Sequence, residues 1–177
     1  MSSQTNTLWS SECETAVNNQ INLEYYASYC YHYLFTYFDR NNVGLKNIAK
    51  FFDKCSHEER DHAHKLIEYQ NKRGGSVQLK SINNPDIDLS NFNRENDILL
   101  ALRIAYELEV KVYNSLLGLH KIGDNAGDPQ FTDFIEGEYL EEQVDAMSEL
   151  QVLISQVERI GSDGHGLWNF DREFKLD

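Results

Sequence analysis

Residues 74–93 read GGSVQLKSINNPDIDLSNFN, and this polar stretch decides how the rest of the chain must be arranged. It separates two long segments whose apolar residues recur with helical periodicity. A helix of about 28 residues is roughly 42 Å long at ~1.5 Å per residue. About 20 extended residues reach up to ~66 Å at ~3.3 Å each. The stretch can therefore run the whole length of a helix bundle and set the helices on either side of it parallel to each other.

Shorter breaks rich in glycine, asparagine and aspartate divide the remaining chain at about 39–42, 123–127 and 161–164. Short connections predict antiparallel neighbours, so the helices pair within each half. We therefore predict one all-α domain over residues 1–177, a four-helix bundle with a long crossover between its second and third helices. The helices are expected at about 11–39, 45–73, 94–122 and 128–159, with a short fifth helix at about 164–175.

The predicted helix ends have local signals in the sequence. Ser11 and Glu14 have the spacing of a capping box, and Asp128 stands before a proline that suits the first position of a helix. Gly123 and Gly161 are predicted to lie just beyond helix ends, where glycine is favoured. These signals predict where the helices begin and end.

Composition excludes several classes of function. The net charge of −13 argues against a nucleic-acid partner, because a phosphate backbone needs a basic face. No apolar run is long enough to cross a membrane, and the polar N-terminus lacks the apolar core of a secretory signal. Three widely spaced cysteines are typical of reduced thiols rather than of a disulfide framework. We therefore predict a cytoplasmic protein with no membrane partner.

Polar residues interrupt the apolar stripe of each predicted helix near its midpoint. These residues are Glu24, Glu59, Glu109 and Gln143, one in each of the four long helices. In a bundle of four similar helices the midpoints share one layer, so these side chains should converge. His62 follows Glu59 by one helical turn on the same face. Tyr31 follows Glu24 by two turns, and a tyrosine at such a position is by itself more often a core aromatic residue than a functional one.

Three carboxylates in one buried layer need compensation. An unpaired buried carboxylate costs several kcal/mol, and no lysine or arginine lies on the four stripes. Protonation, water or a bound cation could each provide it. An isolated glutamate on such a stripe is usually solvated at the stripe's edge, but interruptions in all four helices at one level favour a metal site. Oxygen donors with one imidazole suit iron better than they suit metals that prefer sulfur.

Several segments resemble eukaryotic ferritin of the heavy-chain type over about residues 10–172. They are NQINLEYYASYCY at 19–31, SHEERDHA at 56–63, NKRGG at 71–75, SLLGLHK at 115–121, DFIE at 133–136 and YLEEQV at 139–144. The resemblance implies the ferritin-like form of the bundle predicted above. The chain has a single Glu-x-x-His motif, whereas symmetric di-iron oxygenases have two. This difference matches the asymmetric site of ferritins.

The resemblance also implies an activity and residue roles. Glu24, Glu59 and His62 would hold one iron. Glu59 would also bridge to a second iron held by Glu109. Gln143 would orient this second site, and Tyr31 would be the nearby aromatic residue. The implied protein is a ferroxidase with two Fe per subunit. It oxidises Fe(II) with O₂ and stores Fe(III) as a mineral core in a 24-subunit shell, which can include other ferritin subunits. Light-chain subunits lack this residue set.

Two further residue groups are implied by the resemblance alone. His120, Asp133 and Glu136 correspond to the three-fold channel through which iron enters the shell. Glu58, Asp61 and His64 correspond to a cavity-facing patch for mineral nucleation, with His64 standing where the family has an acid. Two alternatives remain open: a non-catalytic subunit of a storage shell, and a di-iron oxygenase or peroxide-reducing relative acting on another substrate.

Overall fold

The computed structural model describes residues 9–174, and within this range every regular element is helical. The predicted all-α, ferritin-like bundle is confirmed. The predicted fifth helix extended to residue 175, which lies outside the described residues together with 1–8, 176 and 177. The α-helices are α1 (Ser11–Phe38), α2 (Lys46–Lys72), α3 (Asp97–Asn125), α4 (Pro129–Ile135), α5 (Glu141–Ile160) and α6 (Gly164–Glu173).

Helices α1 and α2 form an antiparallel pair. Trp9, just before α1, donates a hydrogen bond to Gln70 near the end of α2 at 2.9 Å. Midway along the pair, the hydroxyls of Ser28 and Ser56 each donate to the other residue's carbonyl, at 2.7 and 2.8 Å. Such reciprocal bonds satisfy both hydroxyls inside the core and hold the two helices at close distance.

The long connection between α2 and α3 follows α1 from its first turns to its end. Asn18 donates to the carbonyl of Ser76 at 3.0 Å near the start of the connection. At the other end, the Tyr37 hydroxyl donates to the carboxylate of Asp97 at 3.1 Å, where α3 begins. Helix α3 therefore starts beside the end of α1, and α2 and α3 run parallel. A 3₁₀ turn at Leu89–Asn91 lies within this connection.

The fourth long helix differs from the prediction of one continuous helix over 128–159. A π-helical segment, Glu136–Leu140, separates α4 from α5. A π-turn contains one more residue than an α-turn, so it changes which side chains face the bundle on either side of it. Asp128 caps α4 as predicted, because its carboxylate accepts from the backbone N–H of Phe131 at 3.0 Å.

The structure differs from the prediction at one helix cap and one helix end. The N-cap of α1 is Ser10 rather than Ser11, and Glu14 instead accepts a hydrogen bond from the backbone N–H of Ser76 at 3.2 Å. Helix α3 continues through Gly123 to Asn125. Gly123 is needed for packing rather than for a turn, because a Cβ atom there would lie 2.7 Å from the ring of Phe131.

Helix α6 docks against the start of α2. The carboxylate of Asp171 accepts the backbone N–H groups of Asn47 and Ile48 at 3.0 and 2.9 Å. These are orphan donors at a helix start, and α2 has no side-chain cap of its own. The two elements are therefore joined by polar contacts as well as by packing. None of the helices in the described range is long and apolar enough to cross a membrane.

Candidate metal centre

The polar residues at the four helix midpoints converge in the middle of the bundle. Glu24 lies on α1, Glu59 on α2, Glu109 on α3 and Gln143 on α5, and each of these side chains is buried. Apolar residues fill the layers of the bundle above and below them. The bundle therefore brings three carboxylates and one amide together in one layer of a largely apolar core.

Three of the predicted ligands form a compact cluster. One ligand atom from each of Glu24, Glu59 and His62 lies within 4.8 Å of the other two. The Nδ1 atom of His62 is 3.3 Å from Oε2 of Glu59, as expected for residues one turn apart on a helix. This separation of donor atoms is compatible with their all contacting one metal ion.

Glu109 lies beside this cluster with partners of its own. Its carboxylate accepts hydrogen bonds from the Tyr31 hydroxyl and from the Gln143 side-chain amide. The Gln143 amide also donates to the backbone carbonyl of Glu109 at 3.1 Å. The structure thus brings together all six residues predicted for the centre of the bundle, as a three-residue cluster and an adjacent three-residue group.

Burial makes the ionised form of these carboxylates unfavourable. It raises the pKa of Glu24 and of Glu59, and the mutual repulsion of neighbouring carboxylates raises both further. Burial also raises the pKa of Glu109, although the hydrogen bonds from Tyr31 and Gln143 oppose it. A bound cation would reverse this preference, because it stabilises the charged form.

A cavity of about 340 Å³ connects this layer with the surface of the protein. Tyr31, Glu59, His62, Glu109 and Gln143 contribute to its inner wall. Farther out the lining is acidic, with Glu58, Glu142 and Glu149 beside Lys54 and Cys55. A small cation could therefore reach the buried layer along a path lined by carboxylates.

The donor set fits iron. Oε2 of Glu24 is buried and has no hydrogen-bond partner in the described part of the structure. An unsatisfied buried carboxylate oxygen is rare and requires an explanation, such as a bound ion. Carboxylate oxygens with one imidazole nitrogen form the kind of site that holds iron in helix bundles.

The residues predicted for the channel and the nucleation patch lie elsewhere. His120 on α3 contacts Glu136 of the π-helical segment, with Nε2 and Oε1 2.6 Å apart, and Asp133 is exposed one turn earlier. Among the nucleation residues, Glu58 lines the cavity. Asp61 and His64 are exposed on α2, and His64 pairs with Glu68 at 3.4 Å.

Three residues that contact the centre were not predicted from the sequence. Gln20 donates a hydrogen bond to Oε1 of Glu24 at 2.8 Å. Glu142 lies 3.2 Å from Nε2 of His62, and the Tyr139 hydroxyl donates to the backbone carbonyl of His62 at 2.9 Å. Gln20 has a detectable signal, since it is polar and lies one turn before Glu24 on the same face. Glu142 has no comparable signal, because it lies outside the apolar stripe of its helix.

The fold and the site together define a four-helix bundle that can hold a metal ion in its core through carboxylates and histidine. A sequence profile of the ferritin-like domain matches residues 14–160. The chain belongs to the ferritin family, as predicted.

Curated relatives include chloroplastic ferritins of plants. Ferritin-2 of Zea mays is 50% identical over 163 residues, which is 91% of this chain and 64% of the relative. The ferritin of Malus baccata var. xiaojinensis is 48% identical over 93% of this chain and 65% of its own length. Ferritin-3 of Arabidopsis thaliana is 49% identical over 94% of this chain and 63% of its own length. The chain thus spans just under two thirds of these relatives. Because they are chloroplastic, the predicted cytoplasmic location is wrong.

Proposed function

We propose that this chain is an iron-storage subunit that oxidises Fe(II) with O₂ at the centre of its bundle. The observation that carries the proposal is the cluster of Glu24, Glu59 and His62, whose ligand atoms lie within 4.8 Å of one another beside Glu109. In this proposal Glu59, between the Glu24 and Glu109 carboxylates, bridges two iron ions per subunit.

The protein's own residues would bind and orient the substrate ions. Glu24, Glu59 and His62 supply oxygen and nitrogen donors to one Fe(II), while Glu109 and Gln143 contribute to the second. The buried carboxylates compensate the increase in positive charge when Fe(II) becomes Fe(III). The two Fe(II) ions together give two electrons to one O₂, which takes up two protons and leaves as hydrogen peroxide. The acidic outer wall of the cavity offers the ferric product a way out toward a mineral core.

The outer residues have subsidiary roles in this proposal. His120, Asp133 and Glu136 would guide Fe(II) into the shell, and the contact between His120 and Glu136 supports a shared role. Glu58 would receive iron as it leaves the cavity, with Asp61 and His64 beside it on α2. Assembly into a 24-subunit shell, alone or mixed with other ferritin subunits, is part of the same proposal.

The two alternatives predict different residues at the bundle centre. A non-catalytic shell subunit does not need Glu24, Glu59, His62, Glu109 and Gln143 together. A di-iron oxygenase or peroxide-reducing enzyme of the symmetric kind needs a second Glu-x-x-His motif, whereas Gln143 stands on α5 with no histidine three residues later. The residue set therefore favours ferroxidase activity with storage.

The names of the relatives favour a plastid location, which we propose for this protein. Imaging of the full-length gene product fused at its C-terminus to a fluorescent protein would test it. Signal coincident with chlorophyll autofluorescence is expected. Diffuse signal in the cytosol would contradict the proposed location.

Stopped-flow absorbance tests the proposed activity. Anaerobic Fe(II) is mixed with the assembled protein in oxygenated buffer, and the appearance of ferric species is followed. The double variant Glu59→Ala/His62→Ala should lose rapid oxidation while its circular dichroism spectrum and assembly remain unchanged. His57→Ala, at an exposed position of the same helix, is the matched control. If the double variant oxidised iron as fast as the parent, the assignment of the site would be wrong.

A further inference from the structure

A chain of hydrogen bonds links α3 to the Glu24 carboxylate through α1. The Ser115 hydroxyl on α3 donates to Oε1 of Gln20 at 2.5 Å, and the Gln20 amide donates to Oε1 of Glu24 at 2.8 Å. Gln20 is only 2% exposed, so water does not compete with these bonds effectively.

The direction of this chain follows from the donors and acceptors available. With a cation bound, the Glu24 carboxylate is ionised and only accepts hydrogen bonds, so the Gln20 side chain must turn its NH₂ group toward Glu24. Its oxygen then faces α3, where the Ser115 hydroxyl can donate to it. Since a hydroxyl can donate or accept, the carboxylate selects the amide orientation, and the Ser115 hydroxyl then anchors the amide oxygen.

The two oxygens of Glu24 have different environments as a result. Oε1 accepts the Gln20 amide, whereas Oε2 is buried without a hydrogen-bond partner in the described residues. Side chains that orient metal ligands in this way commonly change metal affinity 10- to 100-fold when they are removed. The Gln20–Ser115 chain has the arrangement of such a support.

We propose that Gln20 and Ser115 are positioning residues that hold Oε1 of Glu24 and present Oε2 alone to the metal. The proposal rests on the proposed function, since it assumes that Glu24 binds the substrate ion. In this proposal Ser115 on α3 helps to fix a metal ligand that lies on α1. Neither residue contacts the metal in this arrangement.

Titration calorimetry of the metal-free assembled protein with Zn²⁺, a redox-inert probe, tests the proposal. Gln20→Met keeps the length of the side chain but removes the amide, and it should weaken Zn²⁺ binding about 10-fold or more. Ser115→Ala should weaken binding in the same direction by a smaller factor, because Gln20 then loses its anchor. Equal affinity in Gln20→Met and the parent would overturn the proposal.

The matched control is Ser28→Ala, which removes a buried hydroxyl between α1 and α2 but leaves the Gln20–Glu24 bond intact. It should bind Zn²⁺ like the parent. A loss in Ser28→Ala as large as that in Gln20→Met would overturn the proposal, because general loosening of the bundle would then explain both.

The visible absorption spectrum of bound Co²⁺ provides a readout that a purely structural role would not change. A freed Glu24 carboxylate can rotate, so the Co²⁺ bands of Gln20→Met should differ from the parent's, whereas those of Ser28→Ala should not. Identical spectra in Gln20→Met and the parent would count against positioning. If the parent itself bound neither probe in the bundle, the proposed function would fail instead.

Discussion

At the scale of single residues, the buried carboxylates of the metal centre oppose folding but favour metal binding. Glu24 and Glu59 are buried side by side, and in the metal-free protein their ionisation is unfavourable. The chain keeps these carboxylates although a glutamine would be easier to bury. We infer that they are present for the ion they bind rather than for stability.

The substitution Glu24→Gln should therefore stabilise the metal-free protein. A carboxyl whose pKa is raised by folding binds its proton more tightly in the folded state. The stabilisation that this tighter proton binding gives the folded state is fully present below the ordinary pKa of about 4.3. It is lost as pH rises through the raised pKa. Glutamine does not ionise and avoids this loss. The free energy of unfolding at pH 7 should rise by on the order of 1 to 3 kcal/mol.

Thermal unfolding at matched scan rates, in chelator, measures this effect between pH 4.5 and 7. The difference in unfolding temperature between Glu24→Gln and the parent should grow with pH. When Zn²⁺ replaces the chelator, the unfolding temperature of the parent should rise more than that of Glu24→Gln. Glu107→Gln, on the exposed face of α3, should change little. A metal-free Glu24→Gln protein that melts below the parent at pH 7 would show that the Glu24 carboxylate is stabilising without an ion.

The sequence predicts some of these residues better than others, for a physical reason. Glu24, Glu59, Glu109 and Gln143 could be found because each interrupts an apolar stripe, and a polar residue there must have a partner. Glu142 could not, because it lies on the neighbouring face of an ideal α-helix. Only the three-dimensional packing brings it within 3.2 Å of His62.

At the scale of the helices, one carboxylate on α6 caps the start of α2. Replacing Asp171 by alanine leaves the backbone N–H groups of Asn47 and Ile48 without their acceptor. Loss of a cap costs about 0.5 to 2 kcal/mol. Hydrogen exchange measured by mass spectrometry should be faster over residues 46–50 in Asp171→Ala. Glu173→Ala on the same helix is the control, and unchanged exchange in Asp171→Ala would refute the capping role.

The π-helical segment should tolerate a deletion that a regular helix does not. Removing Gly137 takes the extra residue out of the π-turn and leaves an α-helical turn. Helices α4 and α5 can then both keep their positions and the faces they bury. Removing Val144 instead rotates everything after it by about 100°. This rotation would expose the buried Leu150, Ile154 and Val157.

Circular dichroism melts of the two deletion variants test this expectation. The protein lacking Gly137 should fold cooperatively and keep most of its helix content, whereas the protein lacking Val144 should be strongly destabilised. Equal damage in both variants would mean that the π-turn does not absorb the change in length. No residue pattern around Gly137 predicts this turn, because it depends on how α4 and α5 pack against α3.

At the scale of the whole molecule, the length of one connection determined the topology. The stretch after Gly74 could be recognised as a crossover because a bundle needs that reach to set α2 and α3 parallel. Its hydrogen bond with Asn18 and the ring contact of Phe92 with Tyr37 near the end of α1 show the same path. The cellular location could not be predicted in this way, because the compartment in which a protein resides does not determine how its helices pack.

The central claim, that iron binds in the middle of the bundle, is tested most directly by anomalous X-ray diffraction. Crystals soaked anaerobically with Fe(II) are measured on both sides of the iron absorption edge. We expect one anomalous peak among Glu24, Glu59 and His62, and a second between Glu59 and Glu109. Iron peaks only at surface sites such as His120 and Glu136, with none in the polar layer of the bundle, would contradict the claim.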